Sequence, residues 1–257
     1  MLNHKNIVVL MYHGVISSVE DIPPQRDIGA NIYDVTTENF RSQMEWLKKN
    51  DYRPSLIGDF NLTEKNQRNI ILTFDDGEMN NFIKALPILK NLAFPAYFFI
   101  IVKRVGKPGY MGWEQIKELH HQGMAIGSHG LSHEILTDLK DTQIEEELTA
   151  SKRTLENNLG FPIEALSIPR GFCNKKIIDM AHYAGYKYIF VSYQYTYLNE
   201  NCFNRIAVKS RWDIKRFDMA IKGYIPVQER VSSFVILTAK TILRDKGYNW
   251  VRQFLLQ

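Results

Sequence analysis

Two adjacent carboxylates stand where an apolar segment of the chain ends. In ILTFDDG the β-prone residues Ile71–Phe74 lead directly into Asp75 and Asp76. Neighbouring carboxylates repel each other and burial raises their pKa further, so a nearby cation is needed to keep both ionised. One interpretation is therefore a site for a positive ion. The other is an ordinary polar turn, because Asp-Gly is a common turn dipeptide.

Two histidines four residues apart are of the type that a catalytic metal uses. His129 and His133 lie in GSHGLSH, where one helical turn would put both imidazoles on the same face. Two imidazoles and one carboxylate are the usual ligands of a catalytic zinc or iron ion that keeps positions open for water. Taken alone, the spacing also fits two solvated histidines near a loop.

Two further strand ends carry groups that could assist a reaction. His13 directly follows the apolar run Ile7–Tyr12, and Pro169–Gly171 follow the short apolar segment ALSI. Proline pre-sets a tight turn and glycine lets backbone approach a ligand, so a backbone N–H here could face a developing oxyanion. The alternatives are a histidine that caps a strand and an ordinary strand-to-helix turn.

Alternating strand and helix patterns place these four segments at equivalent positions. The alternation predicts a parallel sheet or a (β/α) barrel in a single domain, residues 1–257, and chemistry in such folds sits at the carboxyl ends of the strands. The predicted strands are Ile7–Tyr12, Ile70–Phe74, Ala96–Val102, MAIGS, ALSIP and YKYIFVSY. Helices are predicted from Thr37, from a capping box of Thr142 and Glu145 to Gly160, and at 214–221, 230–243 and 248–255.

Composition narrows the class of protein. The chain has 257 residues, is 45% hydrophobic and has a net charge of +4, which is too small to indicate a nucleic-acid partner.

Cys173 and Cys202 are the only cysteines, and two free thiols are a simpler prediction than one bridge, which the sequence leaves open. No segment approaches the roughly 20 apolar residues of a membrane span, and the first apolar run is too short for a signal peptide. We expect a cytoplasmic protein, or an extracytoplasmic one if a leader has been removed.

Three motifs carry a resemblance to a known family. TFDDG (Thr73–Gly77), SHGLSH (Ser128–His133) and PRG (Pro169–Gly171) resemble, in order and separation, the first three motifs of the polysaccharide deacetylases, the NodB-homology or carbohydrate esterase family four. The likeness extends over most of the chain. It implies an α/β fold, a distorted (β/α) barrel of the NodB-homology type with a helical C-terminal segment. It also implies a divalent metal, usually zinc, and removal of an acetyl group from an N-acetylated sugar.

The resemblance implies roles for individual residues. Asp75 matches the general base, and the Arg170 backbone N–H matches a donor to the oxyanion. Trp113 and Pro169 match positions beside the substrate. The metal would have three ligands: Asp76, His129 and His133.

The sequence departs from the family pattern at three points. Gly130 follows the first histidine, where Ser or Thr is common, and Ser167 stands where an arginine usually orients the base. No histidine follows His182, although the family usually takes its general acid from a late Leu-x-His motif. The sequence is most similar to the branch acting on poly-N-acetylglucosamine, whose acid histidine belongs to a Tyr-His pair on the first strand, and His13 matches it. First and last strands are neighbours in a closed barrel.

The sequence thus predicts a metal-dependent deacetylase. Its substrate would be an N-acetylated sugar of a bacterial surface glycan or of a precursor, free or carrier-linked. The alternative is a glycan-binding protein with a degenerate site, in view of Ser167 and Gly130. Retention of Asp75 argues against that alternative, because binding alone does not need a spare base.

Overall fold

The computed structural model describes most of the chain, namely residues 7–27, 29–59, 68–192 and 201–224. The helices predicted at 230–243 and 248–255 lie outside the described residues. Within the described ranges, no helix combines the length and the apolar character that a bilayer crossing requires.

Parallel strands form a nearly closed barrel, as the sequence predicts. The described strands are β1 (Val8–Tyr12), β2 (Val15–Ile16), β3 (Val35–Thr36), β4 (Tyr52–Pro54), β5 (Arg68–Phe74), β6 (Tyr97–Ile100), β7 (Ala125–Ser128), β8 (Ala165–Ser167), β9 (Tyr188–Val191), β10 (Cys202–Asn204) and β11 (Ile206–Ala207). Eight of them follow one another in the order β10-β9-β8-β7-β6-β5-β1-β11, and β4 pairs with β5 beside this path. The outermost strands β10 and β11 are separated by one residue, Arg205, so the chain itself joins the two edges of the sheet.

Six helices cover the barrel, and the helices predicted from Thr37, up to Gly160 and at 214–221 are among them. They are α1 (Thr37–Lys49), α2 (Leu86–Asn91), α3 (Trp113–His121), α4 (Asp141–Leu159), α5 (Lys175–Tyr183) and α6 (Ile214–Ile221), counted among the described residues. The predicted apolar stripe of α1 is confirmed, because Phe40, Met44 and Leu47 are all buried. Thr36 caps this helix by accepting a hydrogen bond from the Asn39 N–H at 3.2 Å.

The predicted capping box of α4 is wrong. The helix already begins at Asp141, and its N-terminal contact is a hydrogen bond of 3.1 Å from the Lys140 N–H to the Gln143 side-chain oxygen. Thr142 therefore lies inside the first turn of the helix. The capping box predicted from residue types begins at Thr142, two residues after the observed N-cap, Lys140. The predicted stop at Gly160 is confirmed by its left-handed backbone, φ 81°.

Both cysteines are buried and neither forms a disulfide. Cys173 precedes α5 and Cys202 begins β10. The prediction that the two cysteines are not bridged is confirmed, whereas the predicted compartment stays a prediction.

Side chains of the barrel strands alternate between two environments. One set faces the barrel interior and forms its own cluster: Val9, Ile71, Tyr97, Phe99, Ala165, Phe190 and Phe203. The neighbouring residues of the same strands, such as Leu10, Leu72 and Phe98, pack in the larger core beneath the helices. Every second side chain of a strand points to the same side. Counted in this way along β1, β5 and β7, the positions that face the interior continue to His13, Asp75 and His129. The strand period alone therefore brings these three side chains to the carboxyl end of the barrel interior.

A substitution at Gly127 tests this packing, because the barrel interior has no room for a side chain at that position. A Cβ at Gly127 would overlap the Phe99 ring and lie 3.0 Å from the Ala165 carbonyl oxygen. We expect Gly127→Ala to lower the free energy of unfolding by about 1–3 kcal/mol through overpacking, measured by urea denaturation. Phe99→Leu is the matched partner, and the double variant should lose less than the sum of the two single losses. Additive losses would contradict the contact.

Candidate active site

Asp75 and Asp76 both face one buried cavity although they are consecutive. Successive side chains of an extended strand point to opposite faces, so one of the two should point away. The backbone of Asp76 is left-handed, with φ 73°, and Gly77 continues at φ 74°. This change of backbone conformation directly after β5 turns the second carboxylate back to the side of the first. Both side chains are almost fully buried, at 1% and 3% exposure.

Asp76 and the two motif histidines form a candidate metal centre. The Asp76 Oδ1 atom lies 3.5 Å from His129 Nε2 and 3.5 Å from His133 Nε2, and the three ligand atoms all lie within 4.8 Å of one another. Ligands about 2.1 Å from a tetrahedral ion stand about 3.4 Å apart, so the two distances from Asp76 are compatible with one shared ion. Asp76 Oδ1 is buried and accepts no hydrogen bond from the described residues. A cation would satisfy this oxygen, and the donor set therefore fits the implied metal.

Both imidazoles direct Nε2 toward Asp76, because Nδ1 of each ring lies close to an oxygen atom on the opposite side of the ring. His129 Nδ1 lies 2.9 Å from the Ser167 carbonyl oxygen, and His133 Nδ1 lies 2.6 Å from Asp27 Oδ2. Burial lowers the pKa of His129 to about 4, although the charges of nearby aspartates oppose the shift. A neutral imidazole with a free Nε2 lone pair is the form that binds metal.

The histidines are brought together by a loop, and the interpretation of one helical turn is wrong. Residues 129–133 follow β7 without helical structure, and Gly130 and His133 have φ values of 78° and 70°. A left-handed residue at each place reverses the chain, so that the second imidazole returns to within 4.8 Å of the first, measured between ring centroids. The spacing of four residues was informative, but the local conformation inferred from it was not.

A buried glutamate of α4 holds this loop. Glu147 accepts hydrogen bonds from the backbone N–H groups of Leu131 and Ser132 at 2.9 and 3.0 Å, and from the Ser132 hydroxyl. A Cβ at Gly130 would lie only 3.3 Å from the Glu147 carboxylate and 3.0 Å from Pro169 Cγ. Glycine is therefore required here by backbone angle and by space. Hydrogen bonds to Glu147 thus hold the loop, although position 130 has no side chain to contribute one.

Arg205 is the residue that sequence reasoning missed. It lies at the junction of β10 and β11 and binds Asp75 through two parallel hydrogen bonds, Nη1 to Oδ1 at 2.7 Å and Nη2 to Oδ2 at 2.8 Å. Nη2 also donates to the Ser167 hydroxyl at 2.8 Å. The small Ser167 thus adjoins a guanidinium that arrives from another strand, and the departure at Ser167 does not leave the base without an arginine.

The guanidinium determines the charge state of Asp75. Burial alone would raise the pKa of Asp75, but the charge of Arg205 and its hydrogen bonds hold this pKa well below its usual range. The carboxylate is thus ionised at neutral pH. The only signal in the sequence is a lone arginine within the apolar segment CFNRIAV, which has no motif spacing.

His13 lies on the wall of the same cavity. Its ring stacks on Tyr33 with centroids 4.9 Å apart and an interplanar angle of 20°. Its backbone carbonyl accepts a hydrogen bond of 2.7 Å from Asn81. Burial lowers the pKa of His13, whereas the charges of Asp76 and Asp75 act in the opposite direction. The imidazole therefore lines the cavity near both carboxylates, and the effect of burial on its pKa outweighs that of their charges.

The remaining predicted residues divide into two groups. Arg170 lines the cavity, with a left-handed backbone at φ 58°, ψ 0°. Pro169 is buried beside Gly130. Trp113 begins α3 and packs partly against the main core. Neither residue is among the described residues that line the cavity. The expectation that these two residues stand beside the substrate therefore finds no support in the cavity wall. The cavity, of about 70 Å³, brings together six of the predicted residues: His13, Asp75, Asp76, His129, His133 and Arg170.

Comparison with known proteins identifies the domain. Residues 63–189 match the family described as polysaccharide deacetylase. The chain carries a polysaccharide deacetylase domain. The resemblance of the three motifs is thereby confirmed, and the matched range contains the aspartate pair, both histidines and the Pro169–Gly171 turn.

Relatives and solved structures agree with this assignment. The chain is 28% identical over 184 residues to the putative polysaccharide deacetylase YxkH of Bacillus subtilis, and 27% identical over 176 residues to the poly-β-1,6-N-acetyl-D-glucosamine N-deacetylase of Staphylococcus aureus strain MRSA252. These alignments cover 70% and 62% of this chain, but only 62% and 61% of the relatives, so the chain spans about three fifths of their length.

Two structures illustrate the shared fold. The putative polysaccharide deacetylase BA0330 of Bacillus anthracis superposes with a TM-score of 0.71 at 26% identity, covering 84% of this chain and 68% of that one. IcaB from Ammonifex degensii superposes with a TM-score of 0.67 at 21% identity, covering 84% and 96%, which shows the fold alone. The predicted barrel of the NodB-homology type is confirmed.

Removal of Arg205 tests the buried pair directly. Arg205→Met would leave the Asp75 carboxylate buried without its guanidinium, and we expect the free energy of unfolding of the metal-free protein to fall by about 3–5 kcal/mol. Urea denaturation measures this loss. The exposed Arg153 gives a matched control, since Arg153→Met should change stability by no more than about 0.5 kcal/mol. Equal stability of the two variants would contradict the pair.

Proposed function

We propose that this protein is a metal-dependent N-deacetylase of an N-acetylated sugar in a bacterial surface glycan or its precursor. One observation carries the proposal: a buried, ionised carboxylate, Asp75, adjoins the ligand trio of Asp76, His129 and His133 without being one of its members. A site that only bound a cation or a sugar would not need this extra carboxylate. A hydrolase needs it as a base toward water.

The ligand trio would hold the cation through one carboxylate and two neutral imidazoles. Three protein ligands leave further positions open, and a divalent cation bound there would activate water and polarise the acetamide carbonyl. Nitrogen-rich donor sets suit zinc better than magnesium or calcium, so zinc is the proposed ion.

Asp75 is proposed as the general base. Its Oδ2 atom lies 3.6 Å from His129 Nε2, which places the carboxylate at the edge of the trio. Because Arg205 occupies one side of the carboxylate with two hydrogen bonds, the group keeps a fixed orientation while it accepts a proton from the attacking water. Arg205 is in this sense a positioning residue of the base.

The tetrahedral intermediate requires a donor that stabilises its oxyanion, and its collapse requires a proton for the nitrogen. The Arg170 backbone N–H is proposed to donate to the oxyanion, since Arg170 stands on the cavity wall at a left-handed turn. The C–N bond then breaks, acetate leaves, and protonated His13 gives its proton to the amine. His13 is the described histidine on this wall that is not part of the ligand trio.

The substrate class is proposed from similarity. The Staphylococcus aureus relatives are poly-β-1,6-N-acetyl-D-glucosamine N-deacetylases, and this likeness supports an N-acetylated amino sugar as the substrate here. A finished polymer and a nucleotide- or lipid-linked precursor carry the same acetamide.

Contacts at two positions argue against the alternative of a degenerate glycan-binding protein. It depended on the departures at Ser167 and Gly130. Arg205 supplies a guanidinium to Asp75, and Glu147 supplies the hydrogen bonds to the loop. These contacts support a site in which Asp75 is the base, Asp76 and the two motif histidines hold the cation, and His13 is the second proton-transfer group.

The two aspartates should respond differently to substitution. Asp75→Asn keeps the shape of the base but removes its proton affinity, so we expect acetate release to fall at least about 10²-fold while zinc stays bound. Asp76→Ala removes a ligand, so zinc itself should be lost. Turnover and metal content measured on the same preparations check both expectations. Near-normal turnover of Asp75→Asn would contradict the assigned roles.

A panel of acetylated sugars tests the proposed function as a whole. We expect zinc-loaded protein to release acetate from N-acetylated oligosaccharides or carrier-linked N-acetyl sugars, and chelator-treated protein to release none until zinc is restored. O-acetylated sugars serve as the control for amide specificity, and Asp75→Asn as the control for catalysis by this site. Sugar binding without acetate release from any zinc-loaded sample would instead favour a binding protein.

A further inference from the structure

A carboxylate from outside all the sequence motifs reaches the candidate metal centre. Asp27 belongs to the loop between β2 and β3, and its Oδ2 atom lies 2.6 Å from His133 Nδ1. His133 presents its other nitrogen, Nε2, to Asp76. Asp27 therefore stands behind the imidazole, on the side opposite to the cation position, and is not itself a member of the ligand trio.

Two arginines hold the Asp27 carboxylate in this orientation. Arg104 Nη2 donates to Oδ1 at 3.1 Å, and Arg170 Nη1 lies 3.6 Å from Oδ2. Arg104 is itself fixed by a hydrogen bond of 3.1 Å to the Tyr110 hydroxyl. With both oxygens engaged, the carboxylate cannot rotate without breaking a charged contact. Its direction toward His133 is thus set by the surrounding structure.

The preceding residue anchors the loop next to the aspartate pair. Arg26 is buried and forms ion pairs from Nε to Glu78 Oε1 at 2.8 Å and from Nη2 to Asp34 Oδ1 at 2.6 Å. Glu78 follows the Asp-Asp-Gly turn directly, so this pair connects the loop to the end of β5. Close packing adds to it, because a Cβ at Gly14 would overlap the Asp34 carboxylate. The position of Asp27 is therefore a consequence of buried contacts on either side.

We propose that Asp27 is a positioning residue of the metal site, which accepts the Nδ1–H of His133 and thereby directs the Nε2 lone pair to the cation. This inference rests on the proposed metal-dependent function. A carboxylate behind a ligating histidine fixes its tautomer and raises its basicity, and loss of such a partner commonly weakens metal affinity about 10–100-fold.

His129 provides an internal comparison. Its Nδ1 faces the neutral carbonyl of Ser167, whereas that of His133 faces a charged carboxylate. The two ligands are thus supported differently, one by the barrel backbone and one by a side chain of the loop. Metal affinity should consequently depend on the loop side chain at position 27 and not on the barrel alone.

The test measures zinc affinity separately from turnover. Zinc is titrated in competition with a chromophoric chelator against wild type, Asp27→Ala and Asp27→Asn. We expect a 10–100-fold weaker affinity for Asp27→Ala. A smaller loss is expected for Asp27→Asn, whose amide oxygen still accepts a hydrogen bond. The imidazole N–H proton resonance of zinc-loaded wild type should disappear in Asp27→Ala.

Asp21→Asn is the matched control. Asp21 is an acidic residue of the same loop that caps the Ser17 and Ser18 N–H groups and does not contact either histidine. Its zinc affinity should stay within about twofold of wild type, while a merely structural effect of loop loosening would weaken both variants alike. Zinc affinity of Asp27→Ala and Asp27→Asn within twofold of wild type would overturn the inference.

The outcome separates this inference from the proposed function. Wild-type protein that binds no zinc overturns the proposed metal dependence and the role of Asp27 together. Wild-type protein that binds zinc tightly, with Asp27 variants that bind it equally well, overturns only the role of Asp27. If Asp27→Ala does not fold, as judged by circular dichroism of the metal-free protein, Asp27→Asn decides between these outcomes.

Discussion

The structure must keep two consecutive carboxylates buried and ionised. An uncompensated buried charge costs several kcal/mol, so each aspartate requires its own source of positive charge. Asp75 has the guanidinium of Arg205, which forms two hydrogen bonds to it. Asp76 has two imidazoles and an oxygen that accepts no hydrogen bond from the described residues, which is an environment for a cation. Because the two sources are separate, identical side chains have different environments, which is the basis for proposing one aspartate as a base and the other as a metal ligand.

Closure of the barrel is what brings these sources together. The match to the deacetylase family covers residues 63–189, yet His13, Asp27 and Arg205 lie outside that range. β11 pairs with β1, with Leu10 opposite Ile206, so the residue just before β11 arrives beside the strand that carries His13. The motifs alone would give a cation site and a base. The fold adds the charge that keeps Asp75 ionised and brings His13, the proposed donor to the amine, to the same cavity.

The sequence was informative where local pattern determines the outcome. Strand–helix alternation predicted a parallel sheet or a barrel, and the strand ends together with the family resemblance identified six cavity residues, because a strand end and the direction of its side chains are local properties. Arg205 and Asp27 could not be predicted, since their roles arise only when distant segments meet: 130 positions separate Arg205 from Asp75. The helical turn assigned to His129 and His133 failed for a related reason. Their approach depends on Glu147 of α4, which stabilises a non-helical loop.

Backbone strain is concentrated at the same site. Five non-glycine residues among those described have a positive φ, and three of them line the cavity: Asp76, His133 and Arg170. Each such conformation costs on the order of 1–3 kcal/mol and persists only where the surroundings enforce it. Glycine would adopt these angles freely, but it has neither a carboxylate nor an imidazole. At Asp76 and His133 the left-handed backbone directs the side chain into the cavity, so the strain is the energetic cost of placing two ligands that a regular strand or helix would direct elsewhere.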